Sequence, residues 1–288
     1  MLLKRFVYQS RQSFARSWWR IRGRRSLKVF GLKIAVAPET VFPHYPKFSL
    51  PTGGCKSEIV RYGDYVQLHS LMMYLEQLPT PPTIVEVGAH HGAYAVLLGK
   101  KAQESGGKVV AVEPNPESFS LLKRNIALNG LDSTVICEEV AVMDRIGPYR
   151  LVMQLAESYI ASGINTDGCS VECVTLRDLL SKYEIRHVDV LLIDVEGAEL
   201  LVLRGFPWGM VEVGRIYCEI HPYAWERFGY SAADFEHFLI TQGLRCFDMY
   251  LREYSEFDCR AYIGPTVLVE GLRQELSKES GRGFDGHQ

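Results

Sequence analysis

Short runs of β-branched and other apolar residues recur along the chain and predict a set of buried strands. Three of the five clearest runs stop at a glycine or at an acidic residue, and runs this short and apolar are typical of strands covered on both faces. The five clearest runs are residues 83–87, 109–112, 134–140, 188–193 and 215–220, and two more strands are predicted at 245–250 and 262–269.

Apolar residues at helical spacing separate these strands. Residues 118–129 form one predicted helix, and Leu68, Leu71 and Leu75 recur at helical intervals after Asp64, the predicted cap of another. Alternation of strand and helix predicts an α/β fold with a mostly parallel sheet and helices on both faces. The last two strands are so close in sequence that we expect them to pair antiparallel.

The pattern weakens between residues 143 and 173. Two stretches, 149–155 and 170–175, alternate enough to pair as strands around a turn that contains Gly163 and Gly168. We expect an insertion here that covers the substrate, because loops beside a rigid sheet commonly carry binding surfaces.

The first predicted strand runs directly into a turn cornered by Gly88 and Gly92. A strand, a glycine turn and a helix bring backbone N–H groups and a helix N-terminus towards one ligand. Glu86, two residues before the first glycine, would repel a phosphate. The turn therefore predicts a site for a cationic or hydroxyl-rich ligand.

Acidic residues stand at the ends of all five clear strands, where an open parallel sheet binds its ligands. Glu113 follows the second strand and lies 21 residues after Gly92, a position from which a carboxylate can accept both ribose hydroxyls. The other strand ends carry Glu86, Glu139, Asp194 and the Glu219–His221 segment. Their convergence predicts a nucleoside-type site at this edge.

Three motifs in this order resemble the FkbM-type S-adenosylmethionine-dependent methyltransferases, over roughly residues 60–271. They are Glu86-x-Gly88-x-x-x-Gly92, Glu113-Pro114-Asn115 and Asp194-Val195-Glu196-Gly197-Ala198-Glu199. The resemblance implies a Rossmann-like, seven-stranded class I methyltransferase sheet with an antiparallel last strand, S-adenosyl-L-methionine as cofactor, and O-methylation as the reaction. His90 stands where the family more often has Asn. The implied cofactor-binding residues are Glu86, Gly88, Ala89, His90, Gly92, Glu113, Asn115, Glu139, Val140 and Asp194.

Methyl transfer to a hydroxyl needs in-line placement of the acceptor and removal of a proton. The candidate catalytic residues are His221, Asp194, Glu219 and Glu196. His221 is the predicted base, because its ordinary pKa is about 6.5, and Glu219, two residues earlier, is expected to orient its ring. Glu196 and His91 are the alternative bases. No metal is assigned, although Asp194, Glu219 and His221 offer ligand types that would suit one.

Charge is distributed unevenly. Residues 1–33 carry ten Lys or Arg and no acid, whereas the remainder carries 22 basic and 34 acidic residues. This segment predicts contact with an anionic membrane, a transit peptide or a flexible tail. We divide the chain into this basic segment, a proline- and aromatic-rich linker (34–60), a methyltransferase domain (61–271) and a loose tail (272–288). An acidic body argues against nucleic-acid binding.

The residues predict a cytoplasmic methyltransferase, peripheral to the membrane if the basic segment binds one, that modifies a hydroxyl of a small molecule, sugar or lipid-linked glycan. Seven cysteines without a Cys-x-x-Cys pair fit a reducing compartment. Two alternatives remain: a catalytically inactive nucleoside-binding module with the same fold, and an NAD-dependent oxidoreductase. The second would require Gly-x-Gly-x-x-Gly, a spacing that Ala89-His90-His91 breaks. The acceptor and the oligomeric state do not follow from the sequence.

Overall fold

The computed structural model describes residues 24–29, 31–40, 56–79, 81–153, 158–161, 169–247 and 266–271, so most of the predicted basic segment, most of the linker and the tail lie outside the described residues. The strands are β1 (Arg25–Val29), β2 (Leu32–Val36), β3 (Thr83–Val87), β4 (Lys108–Val112), β5 (Val135–Glu138), β6 (Ala141–Val142), β7 (Gly147–Met153), β8 (Ser158–Ala161), β9 (Cys169–Val174), β10 (His187–Ile193), β11 (Glu212–Glu219), β12 (Leu244–Phe247) and β13 (Thr266–Gly271). The helices are α1 (Lys56–Gln77), α2 (Ala93–Ser105), α3 (Pro116–Leu128), α4 (Leu176–Lys182), α5 (Glu199–Arg204) and α6 (Ala232–Thr241), with a 3₁₀ turn at Trp225–Phe228.

A central sheet in the order β12-β13-β11-β10-β3-β4-β5 organises the molecule. Strands β3, β4, β5, β10 and β11 run parallel, whereas β13 pairs antiparallel with both β11 and β12. The predicted mostly parallel α/β sheet is confirmed. The strand order reverses between β3 and β10, and such a switch point opens a crevice at the carboxyl ends of the strands.

Two apolar clusters cover the faces of this sheet, because neighbouring residues of one strand point to opposite sides. Ile84 packs with α1, α2 and α3, while Val85 packs with α4, α5 and α6. Complete burial of such a side chain contributes about 1.5–3 kcal/mol. The apolar runs of the sequence thus reflect two-sided burial, which holds the strand ends rigidly in place.

The β1–β2 hairpin packs against α3 through side-chain amides. Asn129 accepts a hydrogen bond from Ala35 N (2.9 Å) and donates one to Ala35 O (2.6 Å), and Asn125 accepts one from Ala37 N (2.7 Å). The expected boundary between residues 33 and 34 falls inside β2. Helix α1 begins at Lys56, so Asp64 lies within that helix and the prediction that it caps the helix is wrong.

A second, four-stranded sheet in the order β6-β9-β7-β8 occupies the weakly patterned region. Strands β7 and β9 pair antiparallel as expected, but β7 also pairs with β8, which was not predicted. Thr175 and Ser231 cap α4 and α6 in capping boxes. Within the described ranges, every helix is too short or too polar to span a bilayer.

Candidate active site at the carboxyl edge of the sheet

The ends of β3 and β10 touch at Gly88. Its φ is +90°, and a Cβ built there would lie 1.7 Å from the carbonyl oxygen of Asp194. The Asp194 N–H donates to Val87 O at 3.0 Å, which fixes the same junction. Glycine is therefore required by both conformation and space, and the junction places Asp194 beside the turn.

The turn satisfies most of its own backbone donors. Gly88 N and Ala89 N both donate to Val112 O (3.0 and 2.9 Å), and Gly92 N donates to Ala89 O (2.7 Å). His90 N donates to Glu113 Oε2 at 2.7 Å. The expectation that these N–H groups face a ligand is wrong, because strand β4 and the turn itself occupy them. These four N–H groups are therefore not available to a ligand, whereas the side chains around the turn are.

A pocket of about 220 Å³ lies at the switch point between β3 and β10. Its walls include Glu86, Asp194 and Glu219, and among the residues that the structure describes no Lys or Arg contributes to it. The remaining lining residues are Gln67, Val87, Gly88, Ala89, His90, His91, Ala93, Tyr94 and Leu192. Three carboxylates without a basic side chain create a negative potential that favours a cationic ligand.

Glu86 is buried against this pocket with one oxygen unsatisfied. Its exposed fraction is 3%, and Oε2 has no hydrogen-bond partner. Burial, together with the charges of Asp194 and Glu113, raises the pKa of its carboxyl well above the ordinary value. A buried polar atom without a partner is costly, so Glu86 fits a ligand that brings a donor or a positive charge.

Glu113 follows β4 and closes the turn from the other side. Its two oxygens accept from His90 N (2.7 Å) and Asn115 N (2.8 Å). Burial raises the pKa of its carboxyl to about 7, although the two backbone hydrogen bonds oppose the shift. Each carboxylate oxygen can accept a second hydrogen bond, so Glu113 retains the capacity to bind ribose hydroxyls.

Five predicted cofactor residues do not line the pocket, namely Glu113 and four others. Asn115 accepts from Glu117 N (2.9 Å) and Ser118 N (3.2 Å), which makes it the N-cap of α3. Gly92, at φ +76°, is the N-cap of α2. Glu139 and Val140 follow β5, the first exposed and the second half-buried. For Asn115 and Gly92 the structure shows a helix-capping role.

The two turn histidines stack on each other, with ring centroids 3.8 Å apart. Burial, and the neighbouring His90, lower the pKa of His91 to about 4. Burial also lowers the pKa of His90. Both rings are therefore neutral near pH 7 and add no positive charge to the pocket that they line.

His221 is held by Glu199, a residue that was not among the predicted site residues. The Glu199 carboxylate is fully buried, and its Oε1 lies 2.7 Å from His221 Nδ1. It also accepts from Gly197 N, the Trp225 indole N–H and the Tyr230 hydroxyl. The expected orienting residue, Glu219, reaches only to 4.0 Å from His221 Nε2. That prediction is wrong, because β11 ends at Glu219 and the chain then turns.

The other ring nitrogen of His221 faces three carboxylates. Nε2 lies 3.6 Å from Glu196, 3.8 Å from Asp194 and 4.0 Å from Glu219. Burial alone would lower the pKa of His221, but the hydrogen bond to Glu199 and the charges of Glu199, Asp194 and Glu196 raise it to about 10. An imidazole with this pKa is protonated near pH 7, which opposes its predicted role as a base.

Glu196 occupies the accessible side of this cluster. Its backbone has φ +50°, and its side chain, 29% exposed, accepts a hydrogen bond from Tyr223 (2.9 Å). The same turn continues into Gly197, at φ +111°. The two left-handed residues reverse the chain between β10 and α5, so that Asp194, Glu196 and Glu199 all approach His221.

Comparison with known proteins agrees with this geometry. A family model described as a methyltransferase FkbM domain matches residues 86–248, more than half of the chain. The methyltransferase sdnD of Sordaria araneosa is 28% identical over 167 residues, which cover 46% of this chain and 62% of that protein. The hexuronic acid methyltransferase AglP of Haloferax volcanii is 26% identical over 152 residues, which cover 52% of this chain and 61% of that protein.

The matched part of this chain spans about three fifths of the length of these two curated relatives. A crystal structure of the FkbM methyltransferase of Methylobacillus flagellatus has 12% identity and a TM-score of 0.42, covering 66% of this chain and 43% of that one. A structural similarity this low supports no conclusion about this chain. The predicted family and its cofactor, S-adenosylmethionine, are confirmed. This chain belongs to the FkbM methyltransferase family.

Proposed function

We propose that this protein transfers the methyl group of S-adenosylmethionine to a hydroxyl of a sugar, a lipid-linked glycan or another small molecule. The observation that carries the proposal is the pocket at the switch point, where the unsatisfied carboxylate oxygen of Glu86 lies beside Asp194 and Glu219 and no Lys or Arg among the described residues contributes to the lining. This environment suits a cation and would repel the pyrophosphate of NAD. We assign the whole central sheet, with antiparallel β13, to the class I methyltransferase architecture.

S-adenosylmethionine supplies a methyl group on a cationic sulfonium, together with an ammonium group and two ribose hydroxyls. We assign Glu86 Oε2 to the ammonium, because it is a buried acceptor that lacks a donor. Glu113 accepts the ribose hydroxyls, and Asp194 faces the sulfonium. His90, Glu139 and Val140 remain the proposed contacts of the adenine side, and Gly88 and Ala89 form the floor of the pocket.

During transfer the sulfur–carbon bond breaks, an oxygen–carbon bond forms, and the acceptor hydroxyl loses its proton. We assign that proton to Glu196, the predicted alternative base, because it is the accessible carboxylate beside Asp194. His221, fixed by Glu199, positions Asp194 and Glu196 instead of acting as the free base. Glu219 lines the pocket and adds negative charge near the methyl donor.

The class of acceptor rests on the family and on the name of one relative, a hexuronic acid methyltransferase. The test is incubation with isotopically labelled S-adenosylmethionine and a panel of free sugars, uronic acids and polyprenyl-linked glycans, with the product located by mass spectrometry. A labelled methyl ether, absent with Asp194→Ala, supports the proposal. Tight cofactor binding without transfer to any acceptor favours the inactive binding module.

Membrane contact of the basic segment also remains a proposal, since residues 1–23 lie outside the described residues. Strand β1 pairs with β2, which is bonded to α3. A deletion that tests vesicle binding should therefore end at residue 23 and leave the hairpin intact.

A further inference from the structure

Three side chains that can each bind a metal ion converge where β10 and β11 end. Asp194, Glu196 and His221 each offer one ligand atom, and these atoms all lie within 4.8 Å of one another. They come from neighbouring parallel strands, which are held in register by paired residues up to Ile193 and Cys218. A rigid sheet edge therefore presents two carboxylates and one imidazole to a common point.

The imidazole is oriented as a metal ligand usually is. His221 is 4% exposed, its Nδ1 is bonded to the buried carboxylate of Glu199, and its Nε2 lies 3.6–4.0 Å from three carboxylates. A ligating histidine almost always binds a carboxylate or carbonyl through its second nitrogen. Glu199 is itself fixed by the indole N–H of Trp225 and the hydroxyl of Tyr230, so the ring cannot rotate without breaking several bonds.

The distances around Nε2 also suit an ion. The nearest oxygens of Glu196 and Asp194 lie at 3.6 and 3.8 Å, too far for a hydrogen bond. Ligands held at about 2.0–2.2 Å from one ion lie roughly 3 to 4 Å from each other. With Glu219 at 4.0 Å, three carboxylates surround one nitrogen, and this excess of negative charge favours a cation at their centre.

A second histidine, His187 at the start of β10, provides a comparison, because its polar neighbours already bond to it. His187 Nε2 lies 3.1 Å from Asp189, within hydrogen-bond distance, and its Nδ1 lies 3.6 Å from Glu212. Its side chain is 49% exposed. His187 and Asp189 bond to each other at the opposite edge of the sheet, so His187 is a matched control for His221.

We propose that Asp194, Glu196 and His221 bind a divalent cation of the Mn²⁺ or Mg²⁺ type, which replaces the proton on His221 Nε2 and takes one oxygen of each carboxylate. This ion holds two neighbouring oxygens of the acceptor beside the methyl donor, and the second oxygen of Glu196 remains to take the acceptor's proton. The second half rests on the proposed function. Carboxylates suit Mg²⁺ and Mn²⁺, and the imidazole favours a transition metal, so Mn²⁺ fits the mixed set best. An acceptor with a vicinal diol, or with a carboxylate beside a hydroxyl, would supply both oxygens.

The test uses the full chain, stripped of metal with EDTA and free of cofactor, and titrates it with Mn²⁺ under electron paramagnetic resonance. We expect one bound Mn²⁺ per chain, with affinity at least tenfold weaker in Glu196→Gln and in Asp194→Asn. Spin-echo modulation by an imidazole nitrogen should be present in the wild type and in His187→Ala, and absent in His221→Gln. Glu196→Gln is the main variant, because this half-buried side chain can change without disturbing the core.

No saturable Mn²⁺ binding, or equal binding in all four variants, overturns the site, while cofactor affinity measured in EDTA still tests the proposed function separately. Bound Mn²⁺ that leaves the rate of methyl transfer unchanged, relative to EDTA, overturns the role in holding the acceptor. Bound Mn²⁺ with no methyl transfer to any acceptor supports the ion site and counts against the proposed function.

Discussion

Two strands of the central sheet each bury one carboxylate, one towards each edge, and the two have opposite hydrogen-bonding states. Asp189, at the amino edge, is 5% exposed and accepts from Thr83 N (2.7 Å), while its other oxygen lies 3.1 Å from His187 Nε2. Glu86, towards the carboxyl edge, is 3% exposed and keeps Oε2 without a partner. The first carboxylate joins β10 to β3, whereas the second is available for a ligand.

The histidines at the two edges differ in the same way. His187 is half-exposed and bonded to Asp189, whereas His221 is buried and points an unbonded nitrogen at three carboxylates. Residue type and acidic neighbours are alike at both edges, so they do not identify a site. Burial with unsatisfied polar atoms, at the edge where a parallel sheet opens, does identify it.

The largest expected difference between the edges is in turnover. His221→Ala should reduce turnover by about 10²-fold, because Asp194 and Glu196 lose the imidazole that positions them around the acceptor. His187→Ala should leave turnover within twofold of wild type. Steady-state kinetics with any identified acceptor measures both. Equal effects of the two substitutions would show that His221 has no special place in the reaction.

Exchanging each buried acid for its amide should separate stability from binding. Asp189→Asn should cost about 1–3 kcal/mol of unfolding free energy, because the amide keeps one acceptor oxygen for the two partners, Thr83 N and His187 Nε2, that Asp189 bonds, and should leave cofactor affinity unchanged. Glu86→Gln should weaken cofactor binding. Its unfolding free energy should equal or exceed that of the wild type, because burial and nearby charges disfavour the ionised Glu86. Urea unfolding and calorimetry give the two quantities. The same pattern in both variants would remove the distinction between the edges.

A smaller effect is expected in the pH dependence of stability. The pKa of Glu113 is raised from the ordinary 4.5 to about 7 in the folded protein. Its contribution to stability is therefore fully present below about pH 4.5 and is lost as the pH rises through about 7. Relative to Glu113→Gln, wild-type stability should fall by at most about 1.4 kcal/mol per pH unit across this window. Urea unfolding at several pH values measures the difference, and a flat difference would contradict the raised pKa.

The strands, the glycine turn and the acids at the strand ends could be predicted, because two-sided burial leaves unbroken apolar runs in the sequence. Val85 and Val110 carry that signal even though neither touches the site. Capping left a weaker signal: Thr175 and Ser231 each stand three residues before the acid that completes the box, but Asp64, the predicted cap, lies inside α1. These features are local, so the sequence alone determines them.

The partner of His221 could not be predicted, because it depends on how the chain reverses after β10. Glu196 and Gly197 adopt left-handed backbone conformations that bring Glu199 back to the ring. The only sequence signal was an acid at the start of a mostly apolar helix. The hydrogen bonds of the turn's N–H groups could not be predicted for a similar reason. Gly88 N and Ala89 N donate to Val112 O, which belongs to another strand.

The central claim is that the carboxyl edge binds S-adenosylmethionine through its acids, and calorimetry on Glu113→Ala tests it most directly. Loss of the charge-assisted hydrogen bonds to the ribose should cost about 2–4 kcal/mol, so affinity should fall at least tenfold. Glu117→Ala, an exposed acid in the first turn of α3, is the matched control and should bind as the wild type does. Wild-type affinity in Glu113→Ala would contradict the claim.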